Sequence, residues 1–171
     1  HPPGKFDQQQ LVEFWKPLAD EYDLIVLAPK GGDPARWLPD ELRFVDRLLD
    51  QVTKTYTIDP TRIVTHGYQG GAAMAYAVAL SHPETVRAVA AVDAPLPRLA
   101  QVPEADPIHP LAFYTTRSAK SDNAPLVAAG IERLRSMKYP VVVVDTGDQP
   151  RYLTAPELES LGRWFDSLDR L

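Results

Sequence analysis

Short, nearly continuous apolar runs alternate along the chain with stretches whose apolar residues recur every three or four positions. The alternation predicts strands joined by helices, with a parallel sheet covered on both faces. The runs are Leu24-Ile25-Val26-Leu27, Arg62-Ile63-Val64-Thr65, residues 86–92, Leu111-Ala112-Phe113-Tyr114 and Val141-Val142-Val143-Val144. Strands with one wet face would alternate apolar and polar, whereas strands buried on both faces read as these do. Between them, residues 7–22 place Leu11, Phe14, Trp15 and Leu18 on one helical face behind an Asp7 N-cap, and Pro17 is expected to end or kink that helix. Pro39-Asp40-Glu41 opens a second helix with a stripe of Leu42, Val45, Leu49 and Val52. Residues 72–80 are alanine-rich, which suits close packing on a sheet, and the helix stops before His82-Pro83. Asn123-Ala124-Pro125 starts a helix that runs to about Met137. Thr154-Ala155-Pro156-Glu157 forms a capping box ahead of Leu158, Leu161, Phe165 and Leu168. The four later strands are expected side by side in chain order and all parallel, since crossovers between sequential parallel strands join neighbours.

Composition narrows the class. A chain of 171 residues with 44% hydrophobic and 24% charged residues is large enough for one domain with its own core, taken here as residues 1–171. It contains no cysteine, which excludes disulfides, thiolate metal sites and a cysteine nucleophile. The net charge of −5, with no run of Lys or Arg, gives no attraction for phosphate backbones or anionic lipid, so neither nucleic acid nor membrane is an expected partner. No apolar stretch approaches the ~20 residues that span a bilayer. The chain is expected to be soluble, with cytoplasmic and secreted settings both open. Proline is frequent, at 17 residues, and Pro95, Pro97, Pro103, Pro107 and Pro110 fall in a stretch expected to pass over the strand ends.

One turn stands out. Arg62-Ile63-Val64-Thr65-His66-Gly67-Tyr68-Gln69-Gly70-Gly71-Ala72-Ala73-Met74-Ala75 reads as strand, tight glycine turn and alanine-rich helix. It resembles the nucleophile elbow of the α/β-hydrolase superfamily, G-x-S-x-G between a strand and a helix. Tyr56, Ile58, Asp59, Arg62 and Ile63 before the turn, and Gly70, Gly71, Met74 and Ala75 after it, resemble the dienelactone hydrolase, feruloyl esterase and polyhydroxybutyrate depolymerase branch. His1-Pro2-Pro3-Gly4 resembles the His-Gly-x-Gly loop that follows the third strand there, and Trp37 matches an aromatic after the fourth. The resemblance implies a three-layer α/β sandwich with a mostly parallel sheet, lacking its first three strands. It also implies that an upstream segment of the same polypeptide completes the sheet, because the strand at residues 24–27 would otherwise have no neighbour linking it to residues 63–65. A self-sufficient five-stranded flavodoxin-like sheet, a small-molecule-binding module, is the rival architecture.

The chemistry of the resemblance does not carry over. The serine position holds Gln69, whose amide is no nucleophile, and no histidine follows His109 to act as base. The remaining positions implied by the family are Asp122 for the acid and Gln149 or Arg151 for the histidine. Gly4, Trp37, Tyr68, Gln69, Gly70 and Tyr152 are placed on loops at the carboxyl ends of the strands, where α/β proteins bind ligands, and a small molecule or peptide is the expected occupant. No catalytic residue, cofactor or metal is assigned. His66, at a strand end, reads as a packing histidine, and His82 as one at a helix terminus. Asp145 and Asp148 flank Gly147 and read as solvated turn carboxylates. The expected function is a non-catalytic pseudo-esterase domain within a larger protein. The alternative is an esterase with a relocated nucleophile such as Ser118 or Ser121, or with its activity in an attached domain.

Overall fold

The structure, a computed structural model, describes residues 7–33, 36–97 and 102–170. Helix α1 spans Gln8–Tyr22, and the Asp7 carboxylate accepts from the Gln9 and Gln10 amides at 3.0 and 3.1 Å, satisfying two of the free N–H groups of the first turn. Of the end or kink expected at Pro17, the end does not occur: α1 continues to Tyr22. Pro17 lies on the exposed face, so the carbonyl it leaves without a donor, Glu13, meets water, and the buried Trp15 and Leu18 hold the helix on both sides of it.

A 3-10 turn, Pro39–Glu41, leads into α2, Leu42–Thr55. The Glu41 carboxylate folds back to accept from the Gly32 and Leu38 amides, both at 2.6 Å. Then follow β1 (Val64–Tyr68), α3 (Gly70–Ser81), β2 (Ala88–Val92), β3 (Ala112–Arg117), α4 (Ala124–Ser136), β4 (Val141–Asp145) and α5 (Ala155–Asp166). The capping box of α5 forms as its sequence requires, with Glu157 accepting from the Thr154 amide and hydroxyl at 2.8 Å.

The sheet is four-stranded in the order β1-β2-β3-β4, parallel throughout, with Val64 opposite Ala88, Ala88 opposite Ala112 and Phe113 opposite Val141. Its central strand β2 is buried along its whole length, which is why its residues are uniformly apolar. One face carries α2, α3 and α4 over a core that includes Ala72, Tyr76, Val89 and Phe113. The other carries α1 and α5 over Trp15, Leu18, Ala90, Leu161 and Phe165. The result is a three-layer α/β sandwich.

The direction of α1 follows from its contacts. Leu18 and Tyr22 press on Gly162 near the end of α5, where an added Cβ would come within 2.4 Å of Leu18 Cδ1. Phe14 lies 5.5 Å from the ring of Tyr152, just ahead of α5. The two helices therefore run the same way. Because Asp166 at the end of α5 pairs with Arg62, ahead of β1, both helices run opposite to the strands. The first turn of α1 thus lies at the carboxyl end of the sheet.

Two expectations are corrected. Residues 24–27 form no strand: the run is without regular structure, and Ile25, Val26 and Leu27 stand 50%, 42% and 39% exposed, because no neighbouring strand is there to pair with them. The direct ladder to residues 63–65 that a flavodoxin-like sheet requires is absent among the described residues, and the sheet is incomplete beside β1. The proline-rich stretch after β2 also does more than pass over strand ends. Val102 and Ala105 pack on the α3-side core, and Pro103 accepts from the Tyr139 hydroxyl at 2.9 Å, as a crossover returning to the start of β3 must.

Candidate functional site

Gly67 and Gln69 make the turn between β1 and α3. An atom at the Cβ position of Gly67 would sit 2.3 Å from the Gly71 carbonyl carbon and 2.4 Å from the Ala72 nitrogen, so only glycine lets α3 start this close to the strand. Gln69 takes φ 48° and ψ −116°, a strained backbone for a residue with a side chain, and its amide donates to Val92 O at 3.1 Å. This is the sharp strand-to-helix turn expected of an elbow. The Gln69 side chain is exposed at its apex, over the first turn of α3 where the Gly70 amide lies.

Arg151 turns to α5 and grips Glu157 through two hydrogen bonds of 2.6 and 2.8 Å, which holds the Glu157 carboxyl down at about 2. Gln149 and Asp122 are exposed. His82 bridges α3 to Asp46 of α2 at 3.0 Å, and His109 caps a turn on Asp106 at 3.0 Å. Asp145 and Asp148 pair with Arg117 and Lys120 across the β3 and β4 ends. Gly4 and His1 lie outside the described residues. Among the described residues no three His, Asp or Glu side chains converge as metal ligands.

Two clusters do form at this end. In the first, Tyr68 and Tyr152 meet edge to face at 5.7 Å, while the Tyr152 hydroxyl donates to His66 Nε2 at 2.6 Å. His66 Nδ1 lies 2.9 Å from Ala90 O and must carry the proton there, which fixes the tautomer. Burial pushes the imidazole down to about 4, with the Ala90 carbonyl opposing. Trp15 packs against the ring at 5.1 Å. Trp37 packs on the other face of the sheet, apart from this cluster.

The second cluster was not legible as a site. Asp93, at the end of β2, is 1% exposed and takes φ 46°. Its carboxylate accepts from Ser118 Oγ at 2.6 Å and from Ser121 Oγ at 3.1 Å, and its amide donates to Thr116 Oγ1 at 3.0 Å. Both hydroxyls are buried with it, and no described imidazole reaches them. The only sequence signal is an aspartate directly after an apolar strand. Replacing Asp93 with Ala is expected to cost about 2 kcal/mol by leaving two buried hydroxyls without an acceptor and a Cβ residue in left-handed backbone. Asp93→Asn should lose less, because asparagine tolerates that backbone and keeps one oxygen acceptor. Urea denaturation of the two variants measures the difference.

No family model matches the sequence, and neither does any curated protein. Solved structures do match. A Staphylococcus aureus fluorophosphonate-binding serine hydrolase, FphF with substrate bound, superposes with a TM-score of 0.66 at 11% identity, over 97% of this chain and 80% of that one. A Bacillus cereus carboxylesterase gives 0.60 at 19% identity, over 98% and 89%. Arabidopsis thaliana SOBER1 gives 0.55 at 14% identity over 75% of this chain, which spans 63% of the SOBER1 chain. The fold is that of the α/β-hydrolases.

Proposed function

We propose that the chain is a non-catalytic α/β-hydrolase-like domain, a pseudo-esterase that serves as a binding or structural module of a larger protein. The observation that carries this reading is Gln69 at the apex of the strained elbow, where the fold presents an amide in place of a hydroxyl. Covalent acyl transfer needs a nucleophile, a base within hydrogen-bond reach and a group that orients the base. The described histidines are engaged elsewhere, and Ser118 and Ser121 are buried against a carboxylate rather than an imidazole. Tyr68 and Tyr152, beside the elbow at the carboxyl ends of the strands, offer a ligand an aromatic surface.

The test is turnover of a p-nitrophenyl ester together with labelling by a fluorophosphonate. The unmodified chain is expected to show neither. Gln69→Ser alone should stay about 10⁶-fold below an intact triad, since triad members act as a unit and no base is in place. Adding Gln149→His to Gln69→Ser is the first combination in which activity can appear. Turnover by the unmodified chain with the label on Ser118 or Ser121 would establish the alternative of a relocated nucleophile.

A further inference from the structure

We propose that the free edge of β4 is a self-association surface, on which a second copy of this chain lays its own β4 antiparallel across a two-fold axis at Val143. Among the described residues this strand pairs with β3 alone, and the sheet ends there. The hydrogen bonds at its two ends fix which backbone groups are left over. Pro140 O accepts from the Phe113 amide and the Thr146 amide donates to Arg117 O, both at 2.9 Å, so the even-numbered residues of 140–146 turn their backbone groups toward β3. Val141, Val143 and Asp145 therefore turn their N–H and C=O groups outward, where no described residue bonds to them.

Natural sheet edges are blunted by a lysine, a proline, a bulge or a covering element. The register of β4 against β3 runs without a bulge from Val141 to Asp145, and the strand is four valines closed by an aspartate. Pro140 comes one residue too early to remove an outward amide. The described helices leave the edge open as well, since Val142 stands 40% exposed where a valine of a parallel sheet is normally covered on both faces. The edge is thus apolar, regular and unpaired.

Two observations select a second copy as the occupant. The first is the symmetry of the run. Val141-Val142-Val143-Val144 reads the same in both directions, so an antiparallel copy presents valine against valine along it. Centred on Val143, the register sets Val143 against its counterpart and Val141 against Asp145. Every outward residue is then used, each opposed pair exchanging both of its N–H···O bonds. The same register lays Val144 of the second copy beside the exposed Val142.

The second observation is charge. Antiparallel pairing brings the start of one β4 beside the end of the other. Lys138, exposed just ahead of the strand and bonded to no described carboxylate, then approaches the end of the second copy that carries Asp145 and Asp148. Those two carboxylates remain 70% and 63% exposed despite Arg117 and Lys120, and the two-fold axis makes the contact twice. Such an isologous contact closes at two copies. It is independent of the turn at Gln69, which follows β1 at the other edge of the sheet.

A lone strand pair is smaller than the roughly 1,200 Å² at which stable interfaces begin, so half-association is expected on the order of 100 µM. Sedimentation equilibrium should show the 19.0 kDa chain passing toward a dimer between about 10 µM and about 1 mM. Over that range the amides of Val141, Val143 and Asp145 should gain about fivefold in exchange protection, while those of Val142 and Val144, already bonded to β3, change little. The chain has no cysteine, so Val143→Cys introduces one thiol. Opposed residues lie about 5.5 Å apart at Cα, within the ~4.4–6.8 Å that a disulfide spans, and mild oxidation should link this variant. Val141→Cys should link at least ~10-fold more slowly, its counterpart lying about 13 Å along the second strand. Val143→Pro removes an outward N–H and spares the bonds to β3, and it should stay monomeric. Should that variant fail to fold, Val142→Lys, at an exposed position, carries the same expectation. A chain still monomeric at about 1 mM overturns the proposal, as do equal linking of the two cysteine variants, a dimer that survives these substitutions, or protection that appears at Val64, His66 and Tyr68 instead.

Discussion

Gly67→Ala should strongly destabilise the chain. The new Cβ would lie 2.3 Å from Gly71 C, 2.4 Å from Gly71 O and 2.4 Å from Ala72 N, all backbone atoms at the start of α3 that no rotamer change can move. Relief requires α3 to back away from the sheet, opening the contacts of Ala72, Ala75, Val78 and Ala79, each at most 5% exposed. A cost of about 4 kcal/mol is expected, at the upper end of overpacking effects, against a total of roughly 5–15 kcal/mol for a domain. In a thermal melt this is a fall in Tm of about 10 °C or more. Gly147→Ala is the matched control. Its φ of 91° strains a side chain, but nothing lies within 4 Å of the Cβ position, so about 1 kcal/mol is expected. Similar losses in the two variants would mean that the approach of α3 does not govern Gly67, whose φ lies outside the left-handed region.

The second large effect is on acid stability. His66 sits at about 4 in the folded chain because burial disfavours the imidazolium, while an unfolded chain holds it near the ordinary 6.5. As pH falls through 6.5 the unfolded state takes up a proton that the folded state refuses, so stability falls with pH from about 6.5 to about 4 and levels off below. The contribution is intact above that window. Its full size is about 3 kcal/mol. The groups that face the ring are the Ala90 carbonyl, the Tyr152 hydroxyl and the Trp15 indole, so no carboxylate offsets the burial. Urea denaturation between pH 4 and pH 8 should show this slope in the natural chain and a shallower one in His66→Phe. Equal slopes would assign the acid sensitivity to other groups.

What could be read from the sequence was local. The turn at Gly67, Gln69 and Gly71, the Asp7 cap and the Thr154 box each lie within a few residues of the groups they satisfy, and each forms as expected. The strand order also followed, because helical crossovers between sequential strands leave few alternatives. What was misread depended on neighbours far along the chain. Residues 24–27 have a strand's composition, but a strand exists only where a partner pairs with it. Pro17 falls off the apolar stripe of α1, and the helix runs through it. Asp93 gains its meaning from Ser118 and Ser121, more than twenty residues on, with no spacing rule to link them. Arg151 was placed by family analogy facing the elbow, yet Glu157 lies within reach on the adjoining helix and holds it by charge.

The seam between α1 and α5 bears on the order in which the molecule is built. Every strand of the sheet pairs with its neighbour in sequence, so β1 to β4 can assemble step by step with short loops to close. Leu18 and Gly162 belong to opposite ends of the sequence, and their contact closes a loop around nearly the whole chain. Such long-range contacts form slowly and late. Helix α1 is therefore the last element to dock on the sheet, and its release is the first step back toward the unfolded chain. During synthesis α1 leaves the ribosome well before α5, and until α5 follows, the part of the sheet face that α5 covers stays open.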